Sequence, residues 1–564
     1  MVWWFLMPPW AAPDEPGHYL YARLIAENRV IPNAITPAQW GSVLASMEQT
    51  GWRQYLHPDG DFAADIAQEP VLAASGMQVG HKPPGYYALA AIWLRLLPGW
   101  QHLSPDLQLR WMRLLSLVFR LLTTGTALAL ATRLWPSSPE RILGLGLLVG
   151  LMPMVGFIGG SLNNDALTLL WGAAAFAALL LARSRWGRLL ALGLVLAGPL
   201  LVDLNLLYLW PLTFVRWGFF RYENGLRVRT FSSWRPALLA LGLSMVVLAF
   251  LLFPNPYRAA GWRSHNASQT REEGHLFLQT HSGAARISQV VGGKEILQRR
   301  GQTLELDARV SGEGEGLSLQ LTDGHNKIER LCALTSERQP CHLTFPLTSQ
   351  SSNLAVIANL PAGTASFQLH LTDPAGWSLL DNGDGHLPAT MGQPLFTWLE
   401  RHLPLPSGYF DRLLGTQVWD VPSLLRYGIF VGFTWASFWG YFGWLSRPFP
   451  WYTYLLLAVA TLAAMVGIGK KSMTALRNAA TSESATLFFA LIALILALLQ
   501  TWLPMLGQAW QPQGRYLFPA LLPIAILLLL GWEAVLPPRF RPRLPLLLLF
   551  SSLLLNLQAW CIVV

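Results

Sequence analysis

Two adjacent carboxylates and a histidine follow the first apolar run of the chain, in residues 13–19 (PDEPGHY). Charge beside a bilayer is costly unless it is paired or used, and a carboxylate near a weak nucleophile can accept its proton. Asp14 and Glu15 are therefore candidate general bases, and His18 is a neighbouring polar group. Two simpler interpretations stay open. The charges can be solvated at a helix end, or Asp14 can cap a helix that begins near Pro16.

Three further polar clusters stand where apolar segments begin or end. They are His81-Lys82-Pro83-Pro84-Gly85-Tyr86-Tyr87, Asn163-Asn164-Asp165 and Gln513-Gly514-Arg515-Tyr516. The two prolines of the first cluster favour an extended backbone before the next helix. Lysine and arginine side chains can hold an anionic group such as a phosphate. Asn164 and Asp165 can line a pocket, but capping the helix that follows is the more ordinary role for them.

The composition indicates which environment must position these clusters. The chain has 564 residues, of which 52% are hydrophobic and only 13% are charged. Soluble proteins carry about 25% charged residues, so a bilayer is the natural solvent for this chain. The net charge of +9 comes from short clusters between apolar runs rather than from one basic face, which argues against nucleic-acid binding. Three cysteines are too few for a disulfide framework or a metal cluster.

Apolar runs of about 20 residues predict membrane-spanning helices. The candidates are 111–132, 142–160, 165–182, 236–253, 452–468, 484–503, 515–533 and 544–562. Residues 188–218 are long enough for two short crossings broken near Gly198, Pro199 and Asp203. The first run, 1–12, is short, and we expect either a shortened first helix or a start further upstream. The fold class predicted is a mainly α-helical polytopic membrane protein with about 10 or 11 spans.

The basic loops predict the orientation, because cytoplasmic loops are enriched in lysine and arginine. Arginines and lysines occupy alternate connections, ending with Arg539, Arg541 and Arg543. If these lie in the cytoplasm, the outer segments are 13–105, 161–164, 254–450 and 504–514. The aromatic stretch 425–450 must then lie in the interface or re-enter. All four polar clusters fall on the outer face under this topology, which favours a shared site there.

Residues 254–400 change character and predict a separate domain. Period-two runs such as QTLELDARV and SFQLHLTD, separated by Gly, Pro, Asp and Asn, predict an antiparallel, jelly-roll-like β-sandwich outside the membrane. Cys332 and Cys341 flank a predicted hairpin, and an oxidising compartment would favour a disulfide between them over two free thiols. The predicted organisation is therefore an N-terminal membrane region over residues 1–253 with loop 13–105, the insert, and a C-terminal membrane region over residues 401–564.

Several segments resemble those of membrane glycosyltransferases of the GT-C superfamily. They are PDEPGHYLYARLIAENRVIP, HKPPGYYALAA, SLNNDAL, FTWASFWGYFGW and QGRYLFPALLP. Within that superfamily, the chain most resembles a bacterial branch of uncharacterised membrane proteins related to protein mannosyltransferases and aminoarabinose transferases. The likeness spans nearly the whole of the two membrane regions. The β-insert lies outside the common core of the family.

The resemblance implies transfer of a sugar from a polyprenyl-phosphate donor to a hydroxyl on a cell-envelope glycan, glycolipid or protein. It implies a multi-pass protein of the bacterial cytoplasmic membrane whose site faces outward. Asp14 matches the family's first-loop acid, with Glu15 beside it as the other candidate base. The expected phosphate and donor contacts are Arg515, Lys82, His18, Tyr87 and Tyr516, and the expected pocket residues are His81, Asn164 and Asp165.

The sequence also departs from the family pattern. Some relatives have a lysine in the middle of the chain that approaches the donor phosphate, whereas the comparable stretch here, AGPLLVDLNLLYL, contains Asp203 and no lysine. We therefore expect different donor contacts. No HExxH or DxD metal pattern is present, so no metal ligand is predicted and dependence on a divalent metal stays open. Two other functions stay open as well. They are a transporter or flippase for lipid-linked glycans, and a non-catalytic envelope assembly protein.

Overall fold

The computed structural model describes most of the helical region and most of the β-insert. The described residues are 2–29, 37–52, 79, 82–182, 184–219, 222–223, 227–228, 254–259, 262–267, 269–273, 275–280, 283–291, 296, 299–351, 353–380, 382–385, 388–391, 395, 398, 421–443, 445–477, 482–502 and 512–563. The predicted span 236–253 and the candidate residue His81 lie outside them.

Two compact units make up the chain. The helical unit comprises Met1–Leu239, Val431–Thr501 and Pro512–Val564, and the second unit comprises Ala240–Phe430 and Trp502–Gln511. The predicted limits of the insert, 254–400, lie inside the second unit.

Helices account for most of the first unit, and the helical residues Val421–Phe430 and Trp502 belong to the second. The helices are α1 Val2–Leu6, α2 Glu15–Asn28, α3 Pro37–Gln49, α4 Gly85–Arg95, α5 Pro105–Leu134, α6 Pro139–Leu151, α7 Pro153–Gly159, α8 Asp165–Leu181, α9 Arg185–Leu201, α10 Leu209–Phe219, α11 Val421–Gly440, α12 Trp451–Arg477, α13 Ser482–Trp502, α14 Leu521–Val535 and α15 Leu544–Val563. Short 3₁₀ segments occur at Trp100–His102, Leu204–Leu206, Gly514–Ala520 and Pro538–Arg543.

Within the described residues, five helical segments are long and apolar enough to cross a membrane, as expected of an integral membrane protein. They are Pro105–Leu134, Trp451–Leu476, Glu483–Trp502, Gly514–Val535 and Pro538–Val563. A sixth is formed if α6 and α7 are counted as one span, which bends by 55° between them. Pro153 explains the bend, because it lacks the N–H that would continue the helix. Asn556 Nδ2 donates to the Leu151 carbonyl oxygen (2.7 Å) next to this break.

Two segments that the sequence leaves ambiguous have defined secondary structure. The ambiguous stretch 188–218 is two short helices, α9 and α10, with the 3₁₀ turn Leu204–Leu206 between them. The aromatic stretch 425–450 is mostly the helix α11, followed by the two-stranded sheet Tyr441–Phe442 and Arg447–Pro448.

The second unit contains two antiparallel five-stranded sheets, in agreement with the predicted sandwich. Its strands are β3 Pro254–Ala259, β4 Arg263–His265, β5 Arg271–Glu272, β6 His275–Gln279, β7 Ala285–Val291, β8 Thr303–Glu313, β9 Leu317–Thr322, β10 Lys327–Cys332, β11 Gln339–Pro346, β12 Leu354–Leu360, β13 Thr364–Thr372 and β14 Pro388–Thr390. The strands β1 Tyr222–Glu223 and β2 Arg227–Val228 precede them as a separate pair in the helical unit.

The strand orders are β10-β9-β12-β7-β4 and β11-β8-β13-β6-β5. Strand β8 shows why the sequence forms these sheets: Leu304, Leu306, Ala308 and Val310 are buried, and the residues between them are exposed. Buried side chains from both sheets form one hydrophobic core.

Cys332 and Cys341 form a disulfide, as the sequence predicts. The predicted hairpin between them is wrong. Strand β10 pairs with β9 and β11 pairs with β8, so the two cysteines lie on the edge strands of different sheets. The chain crosses from one sheet to the other between them, and the disulfide therefore links the two sheets.

Candidate functional site

Four of the sequence clusters meet inside the helical unit. Asp14, Glu15 and His18 lie at the start of α2, and Lys82 and Tyr87 lie at the start of α4. Asn164 and Asp165 lie at the start of α8, and Arg515 and Tyr516 lie in the segment Gly514–Ala520. Hydrogen bonds and ion pairs connect these segments, which are up to 501 residues apart in the chain.

The centre of the cluster is an ion pair between Asp14 and Arg515. Arg515 Nη2 donates to Asp14 Oδ2 at 2.6 Å, and Arg515 Nε lies 3.8 Å from Asp165 Oδ2. The side chain of Asp14 is 19% exposed, whereas those of Arg515 and Asp165 are 7% and 5% exposed. Asp14 is therefore the carboxylate of this group that a substrate can reach most easily.

The backbone around Arg515 depends on close packing. Gly514 N donates to Ser437 Oγ of α11 at 2.8 Å. A Cβ atom at Gly514 would lie 2.1 Å from the backbone nitrogen of Phe438, so only glycine fits here. The guanidinium carbon of Arg515 lies 5.7 Å from the ring centroid of Tyr516.

A second ion pair lies beside the first. Lys82 Nζ is 3.0 Å from Asp203 Oδ2, and Asn164 Nδ2 donates to the same oxygen at 2.5 Å. Burial would lower the pKa of Lys82, but the charges of Asp203 and Asp165, together with the hydrogen bond from Lys82 to Asp203, outweigh burial and raise that pKa above its usual value. Lys82 therefore stays protonated at physiological pH.

His18 belongs to an aromatic group on one side of the cluster. Its Nδ1 is 2.9 Å from the Tyr87 hydroxyl, and Tyr87 stacks on Tyr21 with ring centroids 4.0 Å apart. Burial is the main cause that lowers the pKa of His18 to about 3. His18 is therefore neutral at physiological pH and adds no positive charge to the cluster.

Glu15 points away from its neighbour Asp14 and is fully buried. Arg113 Nε and Nη2 donate to the two carboxylate oxygens of Glu15 at 2.8 and 2.7 Å, and Leu162 N donates to Oε1 at 2.9 Å. Arg113 also donates to the carbonyl oxygens of Met7 and Pro8, at 2.8 Å each. Glu15 thus joins three segments of the helical unit, and of the two candidate bases Asp14 is the accessible one.

Charge in the cluster is nearly balanced. Asp14, Asp165 and Asp203 face two cations, Arg515 and Lys82. Burial would raise the pKa of Asp14, but the positive charge of Arg515 and its hydrogen bond to the carboxylate, with the more distant charge of Lys82, act against burial and hold that pKa below its usual value. Asp14 is therefore ionised throughout the physiological range.

Four buried polar atoms around the cluster have no hydrogen-bond partner within the described residues. They are Asn163 Nδ2, Asn164 Oδ1, Gln513 Oε1 and Arg515 Nε. A buried polar atom without a partner costs about 1–3 kcal/mol. Two of them donate and two accept, so a ligand with both acceptor and donor groups would satisfy them. Among the described residues, no group of three or more His, Cys, Asp or Glu side chains is placed to hold a metal ion.

Sequence inspection missed Arg113 and Tyr21. For Arg113 a signal was available, because Arg113, Ser116, Arg120 and Thr123 recur at helical spacing within an apolar helix and all four are buried. A polar stripe of this kind faces the interior of a helix bundle. Tyr21 gives no such signal, since a tyrosine one turn beyond His18 is equally compatible with ordinary packing.

No known protein family and no curated protein matches the chain. Among solved structures, it is similar to one described as "CBM4 structure and function", with 14% identity over 21% of this chain and 81% of that chain and a TM-score of 0.16. It is also similar to TmCBM61 in complex with beta-1,4-galactotriose, with 13% identity over 20% of this chain and 82% of that chain and a TM-score of 0.15. Neither similarity is strong enough to bear on function.

Proposed function

We propose that the protein is a membrane glycosyltransferase of the GT-C type. It would move a sugar from a polyprenyl-phosphate donor to an acceptor hydroxyl at the outer face of the bacterial cytoplasmic membrane. The observation that supports this most is the Asp14–Arg515 ion pair, joined by Asp165 and by the Lys82–Asp203 pair. A carboxylate and two cations together are what transfer from a phosphate leaving group needs.

On the acceptor side, Asp14 is the proposed base. Its Oδ2 is bound to Arg515, and Oδ1 accepts the hydrogen bond from the incoming hydroxyl. The hydroxyl oxygen forms a bond to the anomeric carbon as the bond from that carbon to the phosphate oxygen breaks. The hydroxyl proton passes to Asp14. Because the pKa of Asp14 is low, proton transfer comes late, after the new bond has made the hydroxyl acidic.

On the donor side, the phosphate takes the electron pair of the broken bond and needs positive charge. Arg515 Nε, which lies 3.8 Å from Asp165 Oδ2, has no hydrogen-bond partner within the described residues, and we assign its hydrogen to a phosphate oxygen of the donor. Lys82 has three ammonium hydrogens, one of which points to Asp203. Attack on the anomeric carbon from the face opposite the departing phosphate would invert the configuration of the sugar.

The test is sugar transfer by the full-length protein in nanodiscs, from a panel of labelled polyprenyl-phosphate hexoses and pentoses to an envelope glycolipid extract. Asp14→Asn should lower kcat about 10²- to 10⁴-fold, the usual contribution of a general base. The matched control is Asp373→Asn, since Asp373 is also a carboxylate bound to an arginine (Arg299 Nε, 2.8 Å) but lies in the β-unit. Transfer by Asp14→Asn at the wild-type rate, or no transfer by the wild type from any donor, contradicts the proposal.

A further inference from the structure

Asp203 lies where the chain breaks between α9 and α10, and the backbone itself holds it there. Its Oδ1 accepts from Asn205 N at 2.8 Å, which caps the turn Leu204–Leu206. Its own N–H donates to the Gly198 carbonyl oxygen at 3.2 Å. The carboxylate therefore has a fixed position before any other side chain approaches it.

The segment before Asp203 is packed tightly against the start of α4. A Cβ atom at Gly85 would lie only 2.2 Å from the Leu201 carbonyl oxygen. Lys82 stands three residues before this contact, so the close approach brings its ammonium group within 3.0 Å of Asp203 Oδ2. Asn164 Nδ2 donates to the same oxygen from the start of α8 and holds it from a second direction.

The two partners differ in accessibility. The side chain of Lys82 is 20% exposed, whereas that of Asp203 is 5% exposed. A lysine side chain is long and flexible, and ordering it costs rotamer entropy. The ion pair with Asp203 orders the Lys82 side chain before a substrate binds, and Asp203 contacts it from the buried side. Lys82 is thus the more accessible partner of the pair.

We propose that Asp203 is a positioning residue that holds Lys82 in place for the departing phosphate of the donor. This inference rests on the proposed function. Asp203 itself does not touch the substrate and acts only through Lys82. The carboxylate of Asp203, which the backbone fixes at the break between α9 and α10, thus orients Lys82, which belongs to another segment of the chain.

Kinetic coupling tests this directly on the full-length protein in nanodiscs. Asp203→Asn should lower kcat about 10- to 100-fold, as expected for a misplaced catalytic group, and should change KM for the donor less than threefold because Lys82 keeps its charge. In a Lys82→Met background the same substitution should have no further effect. An equal loss in both backgrounds would show that Asp203 acts independently of Lys82, and no loss in either would also overturn the inference.

A second readout does not depend on catalysis. Acetylation of Lys82 by acetic anhydride at pH 8, measured by mass spectrometry, should be several-fold faster in Asp203→Asn than in the wild type, because the carboxylate keeps the ammonium protonated and tied. Asp203→Glu, which retains the charge, should restore slow labelling, and Asp373→Asn should leave it unchanged. If labelling is faster in Asp203→Asn but the wild type transfers no sugar from any donor, the ion pair is supported and the proposed function is refuted. Unchanged labelling in Asp203→Asn would refute the positioning role.

Discussion

Replacing Arg113 by methionine should destabilise the helical unit strongly. The substitution leaves the fully buried carboxylate of Glu15 with only one of its three hydrogen-bond donors, Leu162 N. It also removes the donors to the carbonyl oxygens of Met7 and Pro8. Removing one partner of a buried ion pair costs about 3–5 kcal/mol, and the side chains of Arg113 and Glu15 are both 0% exposed.

Arg120→Met is the matched control, because Arg120 lies on the same buried face of α5. Arg120 Nη2 donates to the Gly150 carbonyl oxygen at 2.6 Å, and within the described residues it has no carboxylate at ion-pair distance. Its loss leaves no buried charge behind and should cost about 1 kcal/mol, the value of one hydrogen bond. The double variant Glu15→Gln/Arg113→Met should lose less than the sum of the two single losses, because the stranded charge is gone.

The assay is unfolding of the purified full-length protein by SDS in mixed micelles, followed by tryptophan fluorescence. We expect Arg113→Met to unfold at a clearly lower SDS fraction than Arg120→Met, and the double variant to recover some of the difference. Equal midpoints for Arg113→Met and Arg120→Met, or simple addition of the single losses in the double variant, would refute the role assigned to this pair.

Three further outcomes are expected. Burial lowers the pKa of His18 from 6.5 to about 3, so between pH 6.5 and 3 the unfolded chain binds a proton at this residue and the folded protein does not. The melting temperature should therefore fall as the pH is lowered through that window, and His18→Gln should make the fall smaller. Reducing the Cys332–Cys341 disulfide should weaken the β-unit by about 2–4 kcal/mol, seen as an earlier calorimetric transition with dithiothreitol; an unchanged transition would argue against a stabilising role. Gly514→Ala should sharply lower the yield of folded protein, because its Cβ would lie 2.1 Å from a backbone nitrogen, whereas Gly193→Ala, with open space at that position, should not.

Local patterns in the sequence predict much of this architecture. Period-two alternation in segments such as β8 predicts the strands of the β-unit, because one face of each strand must be buried. Apolar runs predict the long helices, and polar residues at the ends of those runs indicate where a site can form. Asp14, Lys82, Asp165 and Arg515 all stand at such ends, and in the structure they lie in one cluster.

Pairing between distant segments is what local patterns cannot predict. Residue types and spacing within 13–19 do not distinguish Asp14, which faces Arg515, from Glu15, which faces Arg113 from 98 residues away. Only the family resemblance favours Asp14. That choice depends on the backbone turn at Asp14, where φ is +62°. The link between Lys82 and Asp203 likewise depends on the close contact of Gly85 with Leu201, and the assignment of Cys332 and Cys341 to different sheets depends on the strand order.

The most direct test of the proposed function is a structure of the full-length protein with undecaprenyl phosphate bound. The proposed roles predict a phosphate group within hydrogen-bond distance of Arg515 Nε and Lys82 Nζ, with Asp14 Oδ1 facing the open side where an acceptor hydroxyl would stand. A phosphate bound away from both cations, with the Asp14–Arg515 and Lys82–Asp203 pairs unchanged, would contradict it.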